Sequence, residues 1–428
     1  MEKQNYFQPE IECASREQIT KWQTEGLIRT VKHAYENSAY YRKKMDDHGV
    51  KPEDIKSLAD ITKLPFICKD DLREAYPYGL LCMPLHDCVR IQSTSGTTGR
   101  RVIAFYTQHD IDLWEDTCAR AIVAAGGTPD DVVQVCYGYG LFTGGPGLNG
   151  GSHRLGSLTL PMSSGSTDRQ IQFMQDLGST ILCCTPSYAA YIGETIVERG
   201  LQDTIKLKAG IFGAEAWSEE MRRDIEKNLR IKAYDIYGLT ELEGPGVSYE
   251  CCEQRGMHIC EDQFIAEIID PNTGEVLPDG EKGELVFTSL NKQAFPMVRY
   301  RTRDISRIIP GECPCGSPFP RLDRIVGRSD DMIKVKGTNI YPAQVEEILK
   351  NIDGFSSEYR IILENKDLRD RMIVQAEMKE GADPERLAEE LVRECKSGLG
   401  IRVVPDVKKL GELPRSEKKT QRVIDNRY

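Results

Sequence analysis

The chain has 428 residues, of which 39% are hydrophobic and 29% are charged. This length and composition exclude a disordered chain and predict two or more globular domains, because single domains commonly contain about 100 to 200 residues. The formal net charge of −11 argues against nonspecific binding to nucleic acid, so we expect no nucleic-acid partner.

No hydrophobic run approaches the about 20 residues that cross a bilayer, and the first residues lack the apolar core of a signal peptide. We therefore expect a cytoplasmic protein with no membrane partner. The 14 cysteines are scattered unevenly and include adjacent pairs, which does not resemble a secreted disulfide framework. We expect most of them to be reduced and buried.

Helices are predicted first along the chain, with helix formers over residues 28–48. From residue 89 to residue 288, apolar strand-like runs alternate with helical segments such as 218–228. The clearest of these runs are residues 132–136, 180–183 and 209–212. Such alternation predicts an α/β core with parallel strands.

A composition change after Gly327 predicts a domain boundary. We expect a large N-terminal domain with mixed or parallel sheets and helices over residues 1–327, a polar hinge over 328–331, and a small, mobile α+β domain over 332–428. In the C-terminal domain, helices are predicted to begin near Pro342 and Pro384. Its predicted strands are residues 332–335, 360–363, 372–376 and 401–404.

A segment rich in glycine and hydroxyls lies between the predicted strands 89–92 and 101–106. It consists of Ser93, Thr94, Ser95, Gly96, Thr97, Thr98 and Gly99. Glycine lets a backbone approach a phosphate, and the hydroxyls are rotating hydrogen-bond donors. A Walker A loop is excluded because it needs Gly-Lys-Ser/Thr before a helix. The segment predicts binding of a nucleotide triphosphate, with an ordinary solvated loop as the alternative.

Two later segments carry carboxylates, and the tail carries lysines. Residues 234–241 end in Thr240 and Glu241, which suit a nucleotide with Mg²⁺, although a plain turn is the alternative. In residues 299–304 a carboxylate lies among three arginines and suits both ribose hydroxyls, unless these residues form a surface ion-pair network. Residues 413–422 are either a solvated basic run or a mobile segment whose lysine reaches a polarised phosphate.

Taken in this order, the motifs resemble the adenylate-forming (acyl-CoA synthetase-like) superfamily, and most closely its phenylacetate-CoA ligase family. The matching segments are residues 64–73, 93–99, 213–217, 237–241, 300–304 and 327–334. The resemblance runs nearly end to end. It implies a homodimeric ligase that uses ATP and Mg²⁺ to join an aryl acid, phenylacetate first, to coenzyme A (CoA), with release of AMP and pyrophosphate.

The resemblance also implies a role for each matched residue. Residues 93–99 would hold the β- and γ-phosphates, Thr240 would contact the α-phosphate, and Glu241 would bind Mg²⁺. Lys419 would bridge the acid and the α-phosphate, although Lys418 stands where the family commonly has glycine and stays an alternative. The remaining nucleotide contacts would come from Ala214, Glu215, Asp235, Ile236, Tyr237, Gly238, Asp304, Arg328 and Lys334.

A hinge at Asp330 would rotate the C-terminal domain after adenylation, withdraw the tail lysine and bring Gly337 to the CoA channel. The lysine that many adenylating enzymes have soon after the phosphate loop is absent, since Val102 occupies that spacing. We therefore expect Arg100 or Arg101 to supply its charge.

The segment Cys-Pro-Cys-Gly at residues 313–316 is typical of half a zinc site. The candidate ligands are Cys313, Cys315, His258 and one of Cys251 and Cys252, with Cys260 as a further candidate. Members of the resembled family occur with and without such cysteines, so the resemblance permits zinc without requiring it. We expect a closed, structural Cys₃His site for Zn²⁺.

The aromatic residues within 137–142 follow a predicted strand and suit the wall of a flat acyl pocket, with core packing as the alternative. The pocket candidates are Tyr137, Phe142, Ile236 and Pro245. Indoleacetate or a benzoate would need only pocket changes, because one methylene alters discrimination by only about 1 to 3 kcal/mol. Two other functions stay open: an adenylyltransferase resembling coenzyme F390 synthetase, and a nucleotide-binding scaffold without turnover.

Overall fold

The computed structural model describes residues 4–94, 101–329, 333–335, 338–366, 369–414 and 422–427. These residues form an N-terminal part around a nine-stranded sheet and a smaller C-terminal part around a four-stranded sheet. Within these ranges, each helix is either too short or too polar to cross a membrane.

Most of the described helices lie in the N-terminal part. They are α1 (Pro9–Glu12), α2 (Arg16–Asn37), α3 (Ala39–Asp47), α4 (Lys69–Glu74), α5 (Gln108–Ala124), α6 (Gly144–Leu155), α7 (Thr167–Leu177), α8 (Pro186–Glu198) and α9 (Glu219–Leu229), followed by α10 (Pro342–Asn351) and α11 (Pro384–Leu399) in the C-terminal part. Helices α2, α5, α8 and α9 begin after Ser15, Thr107, Thr185 and Ser218, whose hydroxyls accept a backbone N–H of the first turn. Each hydroxyl thereby satisfies a donor that the helix leaves unpaired.

The strands of the N-terminal part are β1 (Cys88–Ser93), β2 (Ile103–Thr107), β3 (Val132–Val135), β4 (Leu158–Leu160), β5 (Ile181–Cys184), β6 (Ala209–Gly213), β7 (Lys232–Leu239), β8 (Gly244–Glu250), β9 (Met257–Ile259), β10 (Phe264–Ile269), β11 (Gly283–Ser289), β12 (Tyr300–Ser306), β13 (Ile308–Ile309), β14 (Arg321–Leu322) and β15 (Gly327–Arg328). Those of the C-terminal part are β16 (Ile333–Val335), β17 (Thr338–Ile340), β18 (Phe355–Lys366), β19 (Arg369–Met378), β20 (Val404–Lys408) and β21 (Val423–Asn426).

The nine-stranded sheet has the order β13-β14-β9-β8-β7-β6-β5-β3-β4. Strands β4, β3, β5, β6 and β7 are parallel, and the pairs from β7 to β13 are antiparallel. In β5, Ile181 and Cys183 pack into one core while Leu182 and Cys184 pack into another, so the sheet is buried on both faces. The carboxyl ends of the parallel strands share one edge, where the segments after β3, β6 and β7 meet.

A second, antiparallel sheet has the order β10-β11-β12-β15 and lies against this edge. The ring of Phe287 on β11 stacks with Tyr237 on β7, with 6.2 Å between the centroids. At the edge of this sheet opposite β10, Asp304 on β12 pairs with Arg328 on β15. The second sheet therefore brings Asp304 to the carboxyl ends of the parallel strands.

The C-terminal part has its own core. Its sheet has the order β20-β19-β18-β21, in which the central pair is antiparallel and each outer strand is parallel to its neighbour. Val345 of α10 and Leu387 and Leu391 of α11 pack with Ile361 and Val374 of the sheet.

The predicted fold class, an α/β core with a parallel sheet and a small α+β part, is confirmed. The helical character predicted around residues 28–48 is confirmed, and it is divided between two helices. Helix α2 ends at Asn37, and the Ser38 hydroxyl accepts the N–H of Tyr41 and starts α3. The bounds of the strand predicted over 401–404 are wrong, because β20 runs from Val404 to Lys408. The exact domain bounds stay predictions.

Candidate functional site

The segment after β6 is fixed by close contacts. A Cβ added to Gly213 would lie 2.1 Å from the carbonyl oxygen of Ile236, so glycine is required for this approach. Ala214 has a φ of +70°, in the left-handed region. The Glu215 carboxylate accepts the Ser187 hydroxyl at 2.6 Å, which ties the segment to the first turn of α8. The predicted adenine-side residues thus have defined places beside β7.

Strand β7 ends in a turn that carries Thr240 and Glu241. Both residues are buried, and Thr240 Oγ1 lies 3.5 Å from Thr143 Oγ1. Glu241 Oε1 accepts the Tyr300 hydroxyl at 3.2 Å and lies 3.9 Å from Lys69 Nζ. Burial and the Glu241 carboxylate raise the pKa of Tyr300 well above its usual value, which keeps its hydroxyl a donor.

Each carboxylate oxygen of Asp304 has a different partner. The Tyr237 hydroxyl donates to Oδ2 at 2.6 Å, and Arg328 Nη1 donates to Oδ1 at 3.1 Å. Burial and the Asp304 carboxylate raise the pKa of Tyr237 well above its usual value. Three of the predicted nucleotide-binding residues are therefore in one hydrogen-bonded group.

The arginines near Asp304 bind other buried carboxylates. Arg299 makes two hydrogen bonds to Glu267, at 2.8 and 3.1 Å, and Arg301 makes two to Glu284, both at 2.8 Å. Glu284 is fully buried and also accepts the Ser329 hydroxyl at 3.0 Å. The ion-pair network considered as an alternative is present, but its carboxylates are buried and do not lie on the surface.

Asp235 lies on β7, directly before Ile236, and is buried. Burial, with the nearby Glu250 carboxylate, raises the pKa of Asp235 to about 7. Arg222 opposes this shift but already donates two hydrogen bonds to Glu250, at 2.7 and 3.0 Å. Burial thus outweighs the nearby positive charge at Asp235.

Predicted pocket residues meet the start of α6. A Cβ added to Gly144 would lie 2.7 Å from Phe142 Cε1 and 3.0 Å from Tyr137 Cδ1, and one added to Gly147 would lie 2.9 Å from Pro245 Cγ. The glycines of α6 therefore allow the side chains to approach. Tyr137 is buried, whereas Phe142 is 37% exposed. The Tyr137 hydroxyl donates to the carbonyl of Gly213 at 3.4 Å, and Gly213 packs against Ile236.

The ends of the predicted phosphate loop are joined. The Thr94 N–H donates to the carbonyl of Val102, and the Val102 N–H donates to Thr94 Oγ1, both at 3.1 Å. The Ser93 N–H donates to the carbonyl of Leu141 at 2.8 Å. Strands β1 and β2 flank the loop as an antiparallel pair, which confirms its predicted position between two strands.

Several predicted site residues lie outside the described residues. They are Ser95, Gly96, Thr97, Thr98, Gly99, Arg100, Asp330, Gly337, Lys418 and Lys419. Lys334 is described through its backbone, which pairs with that of Asn339 between β16 and β17.

Four of the predicted zinc ligands lie together. The ligand atoms of Cys251, His258, Cys313 and Cys315 are all within 4.8 Å of one another. Cys251 Sγ is 3.7 Å from Cys313 Sγ, and Cys315 Sγ is 3.3 Å from His258 Nε2. His258 Nδ1 lies 2.8 Å from the carbonyl oxygen of Phe319, which makes Nδ1 the donor and directs Nε2 to the thiols. The Cys251 and Cys315 thiols hold the pKa of Cys313 well below its usual value.

The two other cysteine candidates are outside this cluster. Cys252 Sγ lies 3.9 Å from Glu253 Oε1, and Cys260 Sγ lies 3.3 Å from the carbonyl oxygen of Gly246. Of the pair left open by the sequence, Cys251 rather than Cys252 joins the cluster.

Two contributors to the site were not predicted. Lys69 lies in the segment 64–73, which carried the family resemblance, but its approach to Glu241 depends on packing between distant segments. Thr143 directly precedes α6, and the sequence gave no signal of its contact with Thr240. Tyr300, by contrast, was part of the matched motif 300–304.

Residues 26–291 match the family model of AMP-binding enzymes, and residues 337–427 match that of the AMP-binding enzyme C-terminal domain. The fold and the site thus define an adenylate-forming enzyme. The phenylacetate-coenzyme A ligase of Pseudomonas putida is 45% identical over 427 residues, which cover 97% of this chain and 96% of that protein. That of Escherichia coli K12 is 42% identical over 426 residues and covers 97% of each. The chain belongs to the phenylacetate-coenzyme A ligase family, as predicted, and is an AMP-forming acid-CoA ligase.

A solved 2-hydroxyisobutyryl-CoA ligase shares the architecture of both parts. In its postadenylation state with 2-HIB-AMP, it superposes with a TM-score of 0.89 at 27% identity, covering 98% of this chain and 92% of that one. In its thioesterification state with CoA, the TM-score is 0.73 at 28% identity, covering 99% and 92%. The arrangement of the two parts here is closer to the postadenylation state.

Proposed function

We propose that the chain joins phenylacetate to CoA at the expense of ATP, with formation of phenylacetyl-CoA, AMP and pyrophosphate. One observation carries this proposal. Tyr237, Thr240, Glu241, Asp304 and Arg328 lie at the carboxyl ends of the parallel strands, where open α/β sheets bind their ligands.

The nucleotide would bind across the two sheets. Asp304 suits the ribose hydroxyls, because Tyr237 and Arg328 already order its carboxylate and little rearrangement is needed on binding. Residues 214–215 and 235–238 would flank adenine. The loop 93–99 would hold the β- and γ-phosphates, with Lys334 as a further contact.

Glu241 would hold Mg²⁺. Its carboxylate is buried, and a buried carboxylate needs nearby positive charge. Lys69 approaches it only to 3.9 Å, and the nearby Lys292 is shared with Asp110 and Glu243, so a cation shared with phosphate oxygens fits the remaining charge. Bound there, Mg²⁺ would neutralise developing negative charge on the phosphates.

In the first step, a carboxylate oxygen of the acid attacks the α-phosphorus. The new P–O bond forms as the bond to pyrophosphate breaks, and Lys419 and Thr240 would stabilise the charge that develops. The CoA thiol then attacks the acyl carbon: the C–S bond forms, the C–O bond to AMP breaks, and the thiol proton leaves to solvent. Rotation at Asp330 would bring Gly337 to the thiol path between the two steps.

The acid would lie against Tyr137, Phe142, Ile236 and Pro245, whose apolar and aromatic surfaces suit a phenyl ring. Phenylacetate is named for both relatives of high identity and is the first substrate to test. The homodimer and the cytoplasmic location stay predictions.

We also propose that Cys251, His258, Cys313 and Cys315 bind Zn²⁺. Three thiols and one imidazole within 4.8 Å fit a tetrahedral site. Because the protein supplies all four ligands, such a site stabilises the fold and leaves no position for catalysis.

A panel of aryl acids tests the proposed activity. ATP–pyrophosphate exchange reports adenylation, and thiol consumption with CoA present reports the second step. We expect phenylacetate to give the highest kcat/KM in both assays, above indoleacetate and benzoate. Exchange without thiol consumption would contradict the ligase and favour an adenylyltransferase.

A further inference from the structure

The turn that carries Thr240 and Glu241 is held through its backbone carbonyls. The acceptors are the carbonyl oxygens of Thr240, Leu242, Glu243 and Pro245. The donors are Tyr106, Trp114 and Lys292, which we call the carbonyl clamp. Tyr106 and Trp114 come from β2 and the following α5, and Lys292 comes from the segment after β11, so two distant parts of the chain converge on one turn.

Tyr106 lies at the centre of the clamp. It is fully buried, and its hydroxyl oxygen is 3.2 Å from the carbonyl oxygen of Thr240 and 3.1 Å from that of Glu243. The Tyr106 hydroxyl therefore lies within hydrogen-bond distance of both carbonyl oxygens, and its position sets the distance between them.

The other two donors pack on the Tyr106 ring. Trp114 stacks with it at 5.4 Å between centroids, and its Nε1 donates to the carbonyl of Pro245 at 2.9 Å. Lys292 Nζ lies 4.3 Å from the ring centroid and donates to the carbonyl of Leu242. The tyrosine ring thus orients both neighbouring donors.

Lys292 contributes a buried positive charge beside the turn. It is only 2% exposed, and a buried ammonium group loses much of its hydration. Burial lowers the pKa of Lys292 to about 8, and the Asp110, Glu243 and Glu241 carboxylates oppose that shift. Lys292 therefore interacts both with the Leu242 carbonyl and with the carboxylates around the turn, which include Glu241.

The clamp also connects the turn to the phosphate loop. Tyr106 lies on β2, the strand that follows residues 95–100, and Trp114 lies on α5, which follows β2 directly. The turn that carries Thr240 and the loop 93–99 would both contact the triphosphate. Both are thereby attached to residues 106–114.

We propose that Tyr106, Trp114 and Lys292 are positioning residues for adenylation, which hold the Thr240 hydroxyl and the Glu241 carboxylate in place before the nucleotide binds. This inference rests on the proposed roles of Thr240 and Glu241. Loosening the clamp should affect turnover and the Mg²⁺ requirement more than binding of the acid.

Tyr106→Phe tests the clamp, because the ring and its stacking stay while the hydroxyl is lost. We expect the kcat of ATP–pyrophosphate exchange to fall about tenfold. The Mg²⁺ concentration for half-maximal exchange should rise several-fold, and the KM for phenylacetate should stay unchanged.

Tyr41→Phe is the matched control. Tyr41 is also buried, and its hydroxyl donates to the carbonyl of Pro296 at 2.8 Å and accepts the N–H of Val298 at 3.3 Å. Both variants should lose similar thermal stability. A kinetic change in Tyr106→Phe alone supports positioning, whereas an unchanged Mg²⁺ requirement in both variants overturns it.

Glu241→Gln separates this inference from the proposed function. If Glu241→Gln raises the Mg²⁺ requirement and Tyr106→Phe does not, the positioning role of the carbonyl clamp is refuted, and the proposed role of Glu241 is supported. If Glu241→Gln leaves the Mg²⁺ requirement unchanged, the proposed role of Glu241 is wrong, and the positioning role of the carbonyl clamp is refuted as well. Trp114→Phe, which removes the Nε1 donor and keeps an aromatic ring, is judged by the same criteria if Tyr106→Phe does not fold.

Discussion

Tyr237 and Asp304 belong to different sheets, yet the Tyr237 hydroxyl donates a 2.6 Å hydrogen bond to Asp304 Oδ2. Tyr237 lies on β7, the last of the parallel strands in the nine-stranded sheet, and Asp304 lies on β12 of the second sheet. The bond fixes the distance between the proposed adenine side and the proposed ribose acceptor. Arg328 holds the second oxygen of the same carboxylate, so both oxygens have a protein donor.

Asp304→Asn should raise the KM for ATP about tenfold or more, because hydrogen bonds to a charged group are worth about 1.5 to 3 kcal/mol. The amide keeps the shape of the carboxylate but offers one acceptor atom and loses the Arg328 ion pair. Pyrophosphate exchange at varied ATP measures the effect. Asp203→Asn, which removes an exposed partner of Arg230, is the control and should leave the KM unchanged. An unchanged KM in Asp304→Asn would contradict the ribose role.

Cys313→Ser should lose a stoichiometric zinc and much thermal stability, because the site would keep only three protein ligands. Cys252→Ser is the matched control, since Cys252 is adjacent to Cys251 but outside the ligand cluster. It should retain zinc. Metal analysis after removal of loosely bound ions, together with thermal unfolding, distinguishes the variants. Zinc that is absent from the unmodified protein, or lost equally in both variants, would refute the assignment.

Local motifs could be predicted because each role requires residues that are neighbours in the chain. Thr240 and Glu241 directly follow a strand, and Asp304 lies within one, so the chemistry and its structural position appear together in the sequence. The parallel core was predictable for a similar reason, since the alternation of apolar runs and helical segments is a local pattern.

Contacts between distant segments could not be predicted. The approach of Lys69 to Glu241 and the convergence of the carbonyl clamp depend on packing that no local pattern records. The choice of Cys251 over Cys252 depends on the direction of each side chain at the end of β8, which the spacing leaves open. The break at Ser38 depends on a capping hydrogen bond that competes with strong helix propensity on both sides.

Asp235→Asn should change the pH dependence of stability. Burial and Glu250 raise the pKa of Asp235 to about 7, whereas the unfolded value is about 3.9. The native state therefore binds this proton more tightly, and the stability contributed below the unfolded pKa is lost as the pH rises through about 7. The variant cannot ionise, so we expect it to exceed the unmodified protein in stability at about pH 8 and to lose that advantage towards about pH 4. Urea midpoints without nucleotide measure this, and a difference independent of pH would contradict it.

Asp330→Pro should separate the two half-reactions. The Ser329 hydroxyl donates to Glu284 at 3.0 Å and its N–H donates to the carbonyl of Arg303 at 2.7 Å, so the chain is anchored up to the residue before the proposed hinge. Proline fixes φ and should block rotation there. We expect pyrophosphate exchange to persist while CoA thiol consumption falls at least about tenfold. Asp330→Ala removes the carboxylate but leaves the backbone free, and it should retain both activities. Loss of both activities in the proline variant, or retention of both, would contradict a pivot at Asp330.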